Sequence, residues 1–128
     1  MVKALTTFIK AWNGRQITDD GAYVSEEFKE FFRDFKKALK SVVSSKGGTL
    51  VRFKMGHYDM SGMMEKDGKY VYISYGPPRC MQIDMEKGGV LYGVLMRTSP
   101  DSESCSRGHG PNNFCSVKEM EKLFDTLT

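Results

Sequence analysis

The sequence predicts an α+β domain in which a four- to five-stranded antiparallel sheet packs against a long amphipathic helix, with a short N-terminal helix and a C-terminal helix. Three observations carry this. Phe28, Phe31, Phe32, Phe35, Leu39, Val42 and Val43 recur at helical spacing. A hydrophobic period of two follows Gly47-Gly48, and Asp67-Gly68 separates two strand patterns. A chain of 128 residues, 40% hydrophobic and 12% aromatic, supplies one core, so residues 1–128 are expected to form a single domain.

The first helix is expected from Leu5, Phe8, Ile9 and Trp12, which share one face, and it should stop near Trp12 because Asn13-Gly14 tolerates a left-handed turn. Ser25 suits the N-cap of the long helix, and Glu26 and Glu27 complement the positive end of its dipole. Its polar face carries Lys29, Arg33, Lys36, Lys37 and Lys40 interleaved with Glu26, Glu30 and Asp34. Several of these stand three or four positions from an opposite charge, the pattern of a solvated, internally paired face.

Val51, Phe53 and Met55 then alternate with Leu50, Arg52 and Lys54 as a first strand. Met60–Lys66 and Lys69–Tyr75 flank the Asp67-Gly68 turn as a hairpin. Val71, Ile73 and Tyr75 alternate there with Tyr70, Tyr72 and Ser74, which places this strand centrally, with helices on one side and tyrosines on the other. A short strand is expected at residues 81–85 after Pro77-Pro78, and another at residues 90–98 after Gly88-Gly89. Residues 99–113 read as a long polar loop. Ser116-Val117-Lys118-Glu119 is a capping box opening a last helix that buries Val117, Met120, Leu123, Phe124 and Leu127.

Composition narrows the function classes. The three cysteines are an odd set, which points away from a disulfide framework and toward a reducing cytoplasm. The longest apolar run, residues 90–96, is far below the ~20 residues a bilayer span needs, and Lys3 and Lys10 interrupt any leader-like stretch, so no membrane role is expected. A net charge of +3 with mixed signs predicts neither a broad basic face nor an acidic DNA mimic.

The constellation richest in chemistry is Cys80, Cys105, His109 and Cys115, because three thiolates and one imidazole suit a tetrahedral structural zinc that would pin the loop before the last helix. The spacing Cys-x3-His-x5-Cys departs from the standard knuckle, and ordinary thiols with a loop histidine explain the same residues. A thiolate nucleophile activated by His57 or His109 is a further reading, without a local signature to mark it. His57 and Asp59 could serve acid-base chemistry or bind a metal, although a polar turn explains them better. Gly108 and Gly110 lack phosphate-loop spacing. Tyr70, Tyr72, Tyr75 and Tyr92 with Arg52, Lys54 and Arg79 could stack nucleic-acid bases, although half-buried aromatics of a central strand produce the same pattern, so nucleic acid is possible but not favoured.

Ala4-Leu5-Thr6, Phe8-Ile9-Lys10-Ala11-Trp12-Asn13-Gly14, Gly21-Ala22-Tyr23-Val24-Ser25, His57-Tyr58-Asp59-Met60-Ser61-Gly62, Tyr70-Val71-Tyr72-Ile73-Ser74-Tyr75 and Asn112-Asn113-Phe114-Cys115 occur together. With these segments the chain resembles small accessory proteins carried by the mobile genetic elements of gut Firmicutes, namely conjugative elements, plasmids and phages. The resemblance implies a non-enzymatic inhibitor, an anti-CRISPR protein that binds type II-A Cas9 and blocks DNA loading or cleavage sterically. It brings no set of functional residues. Near-neutral charge disfavours imitation of duplex DNA and favours occupation of a protein surface, for which the loop of residues 99–114 is the expected contact. A nucleic-acid-binding accessory protein of element transfer or regulation is the alternative.

Overall fold

The computed structural model describes residues 1–15, 25–55, 60–76, 89–100 and 110–128. Helix α2 (Glu26–Ser45) begins where Ser25 Oγ accepts the Phe28 amide at 3.0 Å, and Glu26 and Glu27 occupy its first turn. It ends where Gly47 takes φ +81°, a conformation that costs glycine little. Helix α1 (Lys3–Trp12) stops in the same way, with Gly14 at φ +78°. The two helices meet through aromatic rings. Trp12 stands edge-on to Phe31 at 5.0 Å, and its indole N–H donates to Asp34 Oδ2 at 2.9 Å, so the buried polar end of the tryptophan is satisfied.

Five strands follow: β1 (Thr49–Met55), β2 (Met60–Lys66), β3 (Lys69–Tyr75), β4 (Tyr92–Ser99) and β5 (Asn113–Ser116). They pair antiparallel in the order β1-β2-β3-β4-β5, which puts β3 at the centre as its two-sided apolar pattern requires. Asp67 at φ 52° and Gly68 at φ 80° form the β2–β3 turn, matching the right-handed twist of the hairpin. After β5, Ser116 N–H donates to Glu119 Oε1 at 3.2 Å and opens a 3-10 turn (Val117–Glu119) that leads into α3 (Met120–Leu127).

Helices α1, α2 and α3 lie on one face of the sheet. Phe53, Met64, Ile73, Val94 and Met96 from the strands share one core with Leu5, Phe31, Phe35, Leu39 and Phe124 from the helices. Tyr75 belongs to this side, where its hydroxyl donates to the Val90 carbonyl at 2.8 Å. Among the described residues, no helix is long and apolar enough to cross a membrane.

The observed fold departs from the expected one in three places. β5 is a strand where loop and helix start were expected, because four residues carry too little alternation to be read locally and the strand exists by pairing with β4. Val90 lies in a 3-10 turn (Gly89–Leu91) ahead of β4. In β1 a bulge between Leu50 and Arg52 breaks the alternation, so Val51 is 46% exposed where its spacing predicted core. The strand expected at residues 81–85 lies outside the described residues.

Candidate interaction surface

Of the expected zinc ligands, Cys80, Cys105 and His109 lie outside the described residues, as do His57, Asp59, Arg79 and Gly108. Cys115 is described. It pairs with Val94 on β5 and its side chain joins the helix-side core, where burial first and the nearby Glu119 carboxylate second push the thiol up to about 12. A neutral core thiol fits these surroundings, whereas a zinc ion would have to hold the thiolate against both effects.

A pH prediction separates the two states. The Cys115 thiol ionises near its ordinary 9.0 in the unfolded chain but only near about 12 in the fold, so the unfolded chain gives up its proton first. The stability is intact below pH 9 and is lost as pH rises toward 12. The melting temperature is therefore expected to fall across that window in wild type and to fall less in Cys115→Ala. About one zinc per chain by elemental analysis, with no such fall, would make Cys115 a ligand instead.

The four tyrosines do not form one platform. Tyr75 points into the helix-side core, Tyr72 lies on the opposite face in a cluster with Met63 and Leu95, and both are buried. The Arg97 guanidinium sits over the Tyr72 ring at 4.6 Å and donates to Asn112 Oδ1 at 3.2 Å. Tyr70, partly buried at the rim of that cluster, is the tyrosine of this face with surface to offer. The alternation along β3 already carried this signal, since odd and even positions cannot share a face.

The polar face of α2 is solvated, as the sequence suggested, with Glu26, Glu30, Arg33, Lys36, Lys37 and Lys40 exposed, but its ion pairing is sparse. Lys29, Arg33, Lys36 and Lys40 stand at i, i+4, i+7 and i+11, one stripe about 16 Å long at 1.5 Å per residue. Glu27, Glu30 and Asp34 lie on the other flank, where Asp34 faces α1 and accepts the Trp12 bond. Lys29 meets Glu26 at 3.5 Å, while Arg33, Lys36 and Lys40 pair with no carboxylate among the described residues. The separation is partial, since Glu26 pairs with Lys29 of the stripe and Lys37 stands beside Asp34.

The basic flank borders the edge of the sheet. Phe32 stacks on Phe53 of β1 at 5.9 Å with the planes 10° apart, and the Lys36 ammonium lies 5.7 Å above the Phe32 ring. Beside this row β1 shows Val51 and Met55, 46% and 41% exposed, and the exposed Lys54. Among the described residues, cation row and strand edge form one continuous surface. A second concavity, about 500 Å³, runs between α1 and α2 over Ala4, Ala11 and Ala38, but its rim mixes Lys3 and Lys37 with Asp34 and selects no charge.

Comparison with protein-family models, curated proteins and solved structures finds no match to this chain.

Proposed function

We propose that this chain is a non-enzymatic binding protein of a mobile element, acting stoichiometrically in the bacterial cytoplasm on a defence protein. Cas9 is the target the resemblance implies, inhibited by steric obstruction of DNA loading or cleavage. The supporting observation is the row Lys29, Arg33, Lys36 and Lys40, carried by a helix whose opposite side is locked into the core by Phe28, Phe31 and Phe35. Binding costs less ordering when the contact surface is already rigid. A cationic row is repelled by the positive channels that hold guide and target nucleic acid, so it favours an acidic protein surface beside such a channel. A 14.5 kDa body seated there obstructs the duplex or a domain movement. The loop of residues 99–114 is a second contact in this proposal.

Purified protein is expected to co-migrate with Cas9 on gel filtration and to stop target cleavage at equimolar amounts. The double variant Lys36→Glu/Lys40→Glu, at two exposed positions, should raise the half-inhibitory concentration about tenfold or more without moving the melting temperature. Cleavage that continues undiminished at stoichiometric amounts removes Cas9 from the proposal.

The same row favours a second reading, a nucleic-acid-binding accessory protein of element transfer or regulation. A helix stripe of this length follows a phosphate backbone. Neutralising four phosphates of duplex DNA gives a log-log salt slope of about −3.6. No binding at low salt discards this reading.

A further inference from the structure

We infer that β1 and the basic flank of α2 together form a docking edge that takes up an extended acidic segment of a partner protein as a sixth strand. The inference rests on reading the chain as a protein-binding module and not on which protein it binds.

The edge is open. In the described sheet β1 pairs only with β2, so alternate residues along Thr49–Met55 turn backbone N–H and C=O groups away from any strand. The bulge at Val51 interrupts the first part of the strand, but the register from Arg52↔Met63 to Met55↔Met60 is regular and ends at the exposed Met55. An incoming strand would hydrogen-bond along this stretch. Side chains on its helix side would reach Met55, the rim of Phe32 and the Lys36 ammonium, while those on the other side would meet Lys54.

Charge decides which strand fits. A second copy of this chain, paired edge to edge through β1, would set Lys54 and the Lys36–Lys40 flank against their own duplicates, and like charges across a strand pair destabilise it. Edge lysines block self-association in this way. A strand whose carboxylates face Lys54, on the side of the sheet away from the helices, converts that lysine from a barrier into a selector, and the apolar residues alternating with them cover Met55 and the rim of Phe32 on the helix side. The occupant is therefore an extended segment alternating acidic and apolar residues. A nucleic-acid strand satisfies the cations but leaves the backbone groups of β1 without partners.

The test is an NMR titration of the isotopically labelled full chain with a nine-residue peptide alternating Glu and Val. The same peptide with Lys for Glu and a single-stranded DNA oligonucleotide serve as comparisons. The Glu peptide is expected to shift the Arg52–Met55 amides, to slow exchange of the outward-facing ones about tenfold or more, and to bind about tenfold tighter than the Lys peptide. The variant Lys54→Glu, at an exposed position, should reverse that preference while leaving the remaining spectrum in place. Equal binding of the two peptides, shifts confined to other elements, or an oligonucleotide that moves the β1 amides while the Glu peptide does not would each overturn the inference. Cas9 inhibition retained when the edge binds no peptide counts against this docking mode alone. An edge that binds the peptide in a protein that leaves Cas9 untouched counts against the target alone.

Discussion

Phe31→Ala is expected to cost about 3–5 kcal/mol of folding stability, a large part of the total for a domain of this size, where roughly 0.05–0.15 kcal/mol per residue is typical. The ring is fully buried, and five others surround it: Phe8 at 5.6 Å, Trp12 at 5.0 Å, Phe28 at 6.3 Å, Phe35 at 5.8 Å and Tyr75 at 4.9 Å. These come from α1, α2 and β3, so Phe31 is where the first helix, the long helix and the central strand meet. Truncation leaves a void walled by rigid aromatic rings on three elements, which cannot collapse onto it together. Phe32, one residue on, is only partly buried and loses chiefly its stack on Phe53 at 5.9 Å. Phe32→Ala should cost about 1–2 kcal/mol, in keeping with one aromatic pair and partial burial. Urea unfolding followed by far-UV circular dichroism measures both, and equal losses at the two positions would show that the core is not centred on Phe31.

That contrast marks what was legible in the sequence. The phenylalanine stripe, the Ser25 cap and the glycine stop define α2 through contacts within a few residues, and the Asp67-Gly68 turn and the Ser116–Glu119 box are equally local. Features created by distant pairing were not legible. β5 exists because Asn113–Ser116 lies beside β4, and Val51 leaves the core because β1 and β2 slip by one residue at the bulge. The candidate surface falls between these cases. Its cations were visible at once, but their neutralisation by neighbouring acids was expected from spacing. Asp34 is drawn away from them to α1, and that follows only when Trp12 reaches Asp34 across the helix pair. Cys115 shows the same divide, since its thiol chemistry is written in the sequence while its place in the core comes from the Val94 register.

Gly62→Ala is expected to separate β1 from the sheet, costing about 3 kcal/mol, the upper end of overpacking losses, and abolishing the docking edge. Gly62 lies within β2, paired to Phe53 on one side and Ile73 on the other. A Cβ built there runs into the Arg52 carbonyl oxygen and stands 2.7 Å from Phe53 Cα and 2.8 Å from the Arg52 carbonyl carbon. These are backbone atoms, so no side-chain rotation relieves the clash and the strand itself must move. Displacing β1 also withdraws Phe53 from Phe32 and Phe35, which loosens the flank of α2 that carries the cations. The loss should be local in hydrogen exchange: β1 amides lose protection while the β3–β4 ladder keeps it, because those strands are held from the other side by β5 and α3. Gly68→Ala is the matching control, since a Cβ there meets nothing within 4 Å and the cost comes only from φ +80° in the turn. A Gly62→Ala protein with β1 protection intact would mean that the strands tolerate the methyl group by sliding, and the edge would then have to bind the Glu–Val peptide as wild type does.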